Sequence, residues 1–133
     1  MGLSLFGKKR SDKSRGREAE EQAANYLKKQ GATIVSRNYS CRFGEIDLIC
    51  TYGELLLFVE VRLRSNRQFA SGAESVDIHK QKRLIATANR YLQQTYGDVP
   101  PACRFDVIAL SGKSEDSAQQ SLEWLQDAFR PEW

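Results

Sequence analysis

LLLFVEVRLR, Leu55–Arg64, reads as a buried β-strand that carries a glutamate at its centre and an arginine two residues later. Its unbroken apolar start suits a strand covered on both faces, in the middle of a sheet. Side chains alternate along a strand, so Glu60 and Arg62 point one way while Val59 and Val61 point the other. A glutamate is rarely buried without a partner. Left unpaired, its carboxylate costs several kcal/mol or takes up a proton. Glu60 therefore either pairs with a cation and does nothing else, or faces a cleft at the polar end of its strand.

The residues just upstream sharpen the choice. Tyr52-Gly53-Glu54 is a turn signal, and EIDLICT, Glu45–Thr51, is a strand with its own acidic residue, Asp47. An even-numbered turn puts Asp47 and Glu60 on one face, roughly 5–8 Å apart. An odd turn without a bulge puts them on opposite faces. Carboxylates that close raise each other's pKa, and a cation between them relieves the repulsion. Two carboxylates plus waters suit Mg²⁺ or Mn²⁺. Such a cation polarises a phosphoryl oxygen and acidifies a bound water. A neighbouring Lys or Arg then stabilises charge developing on phosphorus.

The rest of the chain supplies the frame. A first helix is expected from about Glu18 to Gln30, with Ala23, Ala24 and Leu27 on one face and Gly31 ending it. Glu20 falls on that same apolar face. TIVSRNY, Thr33–Tyr39, is a strand, and Ser65–Gly72 is a loop. A second helix runs from about Ser75 to Tyr96 with Leu84, Ile85, Ala88, Tyr91 and Leu92 inward. CRFDVIAL, Cys103–Leu110, is a fourth strand; Gly112–Gln120 is a loop and Leu122–Phe129 an element of undetermined type. Strands two and three form a hairpin, and a helix joins strands three and four, which favours a parallel crossover. The fold class is α/β, a mixed sheet flanked by helices in the order α-β-β-β-α-β.

At 133 residues and 41% hydrophobic content the chain suits one domain. No apolar run reaches membrane-spanning length, and MGLSLFGKKR has the wrong order for a secretory signal, so a cytoplasmic protein is expected. Cys41, Cys50 and Cys103 include no C-x-x-C pair, and His79 is the single histidine, which argues against zinc and disulfides. Three reduced, mostly buried thiols are expected. The net charge of +3 is small, but Lys8, Lys9, Arg10, Lys13, Arg15 and Arg17 crowd one end. Residues 1–14 read as a basic, flexible arm, either a phosphate contact or a solvated tail; residues 15–133 are the domain.

Asp47, a turn and then Glu60-Val61-Arg62 together resemble the D…(D/E)-x-K core of the PD-(D/E)xK nucleases, the restriction-endonuclease-like fold. RGREAEEQAANYLKKQG, RNYSCRFGEIDLI, LFVEVRLRS, AESVDIHKQKRL and CRFDVIAL look like successive blocks of the YraN-like family of predicted endonucleases, from Arg15 to Phe129. The resemblance implies that Asp47 and Glu60 hold the divalent metal. Arg62 stands where the motif has Lys; it keeps the charge but cannot act as a base. The similar Holliday-junction resolvases use a first-helix glutamate, whose place Glu20 takes, with Ala19 in place of the family's glycine. Glu45 belongs to the family's G-E-I-D-L block and shares a strand face with Asp47. Lys80 stands at the family's K position. With Lys82 and Arg83 it suits phosphate at a helix start, or it is a solvated basic face. Arg64 and Arg104 line the groove or pair with Glu60 and Asp106, and Asp106 reads first as structural. Arg15 and Arg17 are further nucleic-acid candidates.

The expected function is a Mg²⁺- or Mn²⁺-dependent endonuclease on DNA, with branched DNA and a homodimer implied by the resolvase resemblance alone. The alternative is a nucleic-acid-binding module that kept the fold and lost hydrolysis, which Arg62 supports. A third is a protein-interaction scaffold using the acidic C-terminal segment or Trp133.

Overall fold

The computed structural model describes residues 3–64, 76–111 and 121–131, with side chains from residue 16 on, Arg64 excepted. Helix α1 (Leu3–Lys29) is followed by strands β1 (Thr33–Cys41), β2 (Gly44–Tyr52) and β3 (Leu55–Arg64). Helix α2 (Ile78–Tyr96) leads to β4 (Cys103–Ser111) and β5 (Ser121–Phe129). The five strands form one sheet in the order β1-β2-β3-β4-β5. Only β3 and β4 run parallel, joined through α2, and every other neighbouring pair is antiparallel. The expected mixed sheet flanked by helices is present, with β3 at its centre.

The two faces of the sheet carry separate cores. Leu48, Cys50, Leu57, Val59, Ile108 and Leu110 pack with Ala23, Ala24 and Leu27 of α1. Ile49, Leu56, Phe58, Phe105 and Val107 pack with Leu84 and Ala88 of α2. The alternating parity of β3 thus feeds both helices, which is why its sequence reads as apolar throughout.

Both helix starts differ from expectation. α1 starts well before Glu18, because the stretch from Gly7 to Arg17 is polar and basic and gives no apolar periodicity; the side chains of the basic arm lie outside the described residues. α2 starts at Ile78 rather than Ser75, since Asp77 caps it by accepting from Lys80 N at 2.8 Å. The last element is a strand. Leu122 and Trp124 face the α1 side while Leu125, Ala128 and Phe129 face the α2 side. A register shift opposite Phe105–Val107 breaks the alternation there. The expected loops at Ser65–Gly72 and Gly112–Gln120, and Trp133, lie outside the described residues. Of the three free cysteines only Cys50 is buried; Cys41 is half-buried and Cys103 exposed, because both sit at strand ends.

Candidate functional site

The β2–β3 hairpin turns through two residues, Gly53 and Glu54, between the paired Tyr52 and Leu55. Gly53 sits at φ 62°, the left-handed region that glycine enters freely. The turn is even, so the register places Asp47 and Glu60 opposite each other, one step beyond the last ladder pair, Leu48–Val59. At that step the ladder gives way to a side chain. Val61 N donates to Asp47 Oδ2 at 2.8 Å, a bond that holds the strands together where backbone pairing stops.

A second irregularity aims Asp47. Ile46 packs in the α2-side core and Leu48 in the α1-side core, although they are two residues apart. Asn38 of β1 has φ 54°, between the residues that face Ile46 and Leu48. This left-handed residue lies across from Asp47 and marks the twist that carries β2 from one face to the other.

Glu60 is 6% exposed, and its partner is Lys80 of α2, whose Nζ meets Glu60 Oε2. Lys80 is fixed twice, since its backbone N–H also donates to the Asp77 cap. Asp47 and Glu60 are in hydrogen-bond contact. Burial first, then the charge of Glu60, pushes Asp47 up to about 7; the bond from Val61 works against the rise and Glu20 adds to it. Gly44, Glu45, Asp47, Glu60, Val61, Lys80, Arg83 and Leu84 line a cleft of about 300 Å³.

Asp47, Glu60, Glu45, Lys80 and Arg83 therefore come together, and Glu20 acts on Asp47 from α1 through its charge. Among the described residues no three His, Cys, Asp or Glu side chains close into a metal-ligand set, so Glu20 is not placed as a third ligand beside Asp47 and Glu60. Arg62 is half-buried opposite Ala109 and is not part of the cleft wall. Lys82 lies in a separate depression with Ile78, Gln81 and Ile85. Arg17 is exposed on α1, and the side chains of Arg15 and Arg64 lie outside the described residues.

Asp106 is a contrast. It is fully buried and accepts from Arg104 Nε and Nη2, Trp124 Nε1 and Asp127 N, all at 2.9 Å. Asp127, at φ 55° in the β5 bulge, turns its N–H to Asp106 instead of the ladder. Asp106 is a satisfied structural hub, as expected, and Arg104 belongs to it.

The chain matches the family described as uncharacterised protein family UPF0102 over residues 19–110. The chain belongs to UPF0102. A UPF0102 protein of Methylobacillus flagellatus is 47% identical over 117 residues, covering 88% of this chain and 97% of the relative. One from Hahella chejuensis is 50% identical, over 86% and 88%. One from a Janthinobacterium species is 43% identical, over 97% and 98%. The matched UPF0102 segment contains Asp47, Glu60 and Lys80. None of its described helices is long and apolar enough to cross a membrane.

Proposed function

We propose that this protein is a divalent-metal-dependent endonuclease acting on nucleic acid, DNA by preference, at the cleft between β2, β3 and the start of α2. The observation that carries this reading is the facing pair Asp47–Glu60 with Lys80 on the same cleft wall. The donor set fits Mg²⁺ or Mn²⁺. It is all oxygen, it offers two carboxylates, and Asp47 holds a proton near neutral pH that a cation would displace. Asp47 and Glu60 would hold the ion, which when bound polarises the phosphoryl group and acidifies the attacking water.

The chain's own residues do the rest. The Val61 N–H keeps one Asp47 oxygen fixed, and the contact of the carboxyl with Glu60 is the one that a shared ion would replace. Lys80 and Arg83 bring positive charge to one wall, where it offsets charge building on the phosphate oxygens. Arg62 supplies fixed charge further along β3 and cannot act as the base.

One observation favours a second reading, a binding module without hydrolysis: Lys80 already satisfies Glu60. Labelled linear, flapped and four-way-junction DNA, incubated with Mg²⁺ or Mn²⁺, separates the two. Cleavage by wild type that vanishes in Glu60→Ala supports the endonuclease. Binding that weakens steeply with salt, with every substrate left intact, supports the module. The homodimer implied by the resolvase resemblance is read in the same samples by sedimentation.

A further inference from the structure

A second cleft, of about 440 Å³, adjoins the carboxylate site; Tyr39, Ser40, Cys41, Arg42, Phe43, Arg90 and Gln94 form its walls. Phe43 of this cleft is followed in the chain by Gly44, which lines the carboxylate cleft. A Cβ there would sit 3.3 Å from Thr87 Oγ1 and 3.7 Å from Arg83 Cβ, so the β1–β2 turn lies directly on α2. Lys80, Arg83, Thr87 and Arg90 recur at three- and four-residue steps, on one face of α2. Cation positions thus run from the carboxylate pair along the helix into the second cleft.

The chemistry of that cleft is specific. No acidic side chain lines it, and among the described residues no carboxylate pairs with Arg42 or Arg90. The Arg42 guanidinium lies over the Phe43 ring, 4.9 Å from its centroid. Phe43 is 39% exposed, an aromatic ring with no core to fill at a turn tip. Tyr39, by contrast, is fixed, its hydroxyl donating to Gln94 and its ring packing edge-on against Tyr91. Guanidiniums with no carboxylate partner among the described residues, beside a partly bare aromatic ring, suit a nucleic-acid strand with unpaired bases, phosphates on the cations and a base on the ring.

We infer that this cleft binds a single-stranded stretch of nucleic acid next to the phosphate held at Asp47 and Glu60. The inference rests on the endonuclease reading for what lies at the carboxylates, and on the Arg42–Phe43–Arg90 cluster for the strand. Ten residues of α2 separate Lys80 from Arg90, about 15 Å of helix, the span of about four stacked nucleotides. The substrate is then one with a bound scissile phosphate and unpaired nucleotides on one side, such as a flap or fork.

The test is fluorescence anisotropy of labelled dT16 and of a 16-base-pair duplex in EDTA, which reads binding without cleavage. All targeted residues are exposed, and circular dichroism checks the fold. Arg42→Ala/Arg90→Ala is expected to flatten the log Kd against log salt slope for dT16 by about 1.4, two single-strand phosphate contacts. Phe43→Ala is expected to weaken dT16 binding roughly 5- to 150-fold with the slope unchanged. Lys28→Ala/Lys29→Ala, the same charge change at the opposite end of the sheet, is expected to bind as wild type does. Wild-type-like binding by the double arginine variant overturns the inference, even if wild type cleaves DNA with Mn²⁺. Tighter binding to the duplex with no effect of Phe43→Ala also overturns it. Slope and affinity changes without any cleavage by wild type support the strand cleft and remove the endonuclease reading.

Discussion

Replacing Asp47 with Asn should stabilise the metal-free protein, and the gain should grow with pH. In the fold the Asp47 carboxyl is pushed from 3.8 up to about 7. Between those values the folded chain holds a proton that the unfolded chain has released. The folded state binds more protons, so stability falls as pH rises through the window and the contribution is lost above about 7. A rise of about three pH units at about 1.4 kcal/mol each gives a ceiling near 4 kcal/mol. The cleft is open to solvent, which screens the charge, so about half of that is the working figure.

Asn removes the charge and can still accept from Val61 N. About 2 kcal/mol in a chain of this size is a Tm increase of roughly 6–8 °C at pH 8. Toward pH 4 Asp47 is protonated in the folded state and increasingly so in the unfolded, and the two proteins should converge. Thermal melts in EDTA at pH 4, 6 and 8 read this directly. An Asp47→Asn Tm at or below wild type at pH 8, or a difference that does not shrink toward pH 4, would refute the reasoning that the pair is electrostatically frustrated.

The same pair should bind Mn²⁺ with release of a proton. Mn²⁺ at 100 times its Kd at pH 7.5 adds about 2.7 kcal/mol; the same concentration should raise Tm less at pH 5, where protons compete for the carboxylates, and not at all in Glu60→Gln; an equal shift in the variant puts the ion elsewhere. Asp106→Ala strands Arg104, Trp124 Nε1 and the Asp127 N–H, and should cost about 3–5 kcal/mol in urea unfolding; a loss under 1 kcal/mol would show that water replaces the carboxylate. Gly44→Ala should lower stability by about 1–3 kcal/mol, because φ is 152° and the new Cβ would meet Thr87 Oγ1; an unchanged Tm would mean that the β1–β2 turn does not bear on α2.

The central hairpin was legible because its signals are local. Apolar runs, a Gly turn and parity were enough to set Asp47 against Glu60. The aromatic turn residue Phe43 was missed, although an apolar ring between Arg42 and Gly44 is a signal of exposure rather than of core. The terminal strand was hidden for a physical reason, since its bulge at Asp127 breaks the alternation that marks strands. Arg62 shows a different limit. Arg104 and Asp106 are two apart on β4 and pair with each other. Glu60 and Arg62 are two apart on β3, yet Glu60 takes Lys80. Strand spacing alone cannot separate these cases; they differ in what packs over the carboxylate, which is β5 for Asp106 and the first turn of α2 for Glu60.

That difference bears on what the cleft can do. Asp106 accepts four hydrogen bonds, two from Arg104 of β4 and two from Trp124 and Asp127 of β5, and nothing remains for a ligand. Glu60 instead receives one ammonium from a helix start, with a cleft beside it. A cation on a separate element can swing from carboxylate to phosphate without disturbing the strand, whereas an arginine two residues along the same strand is bound to the sheet's geometry. The pairing of Glu60 with Lys80 is therefore consistent with a resting contact that a metal ion and a phosphate together would exchange. The carboxylate would pass to the ion and the ammonium to the phosphate, with no change in the count of satisfied charges. A purely structural pair has no use for an adjoining carboxyl held near pKa 7. That cost to the fold is one that the proposed binding function would account for.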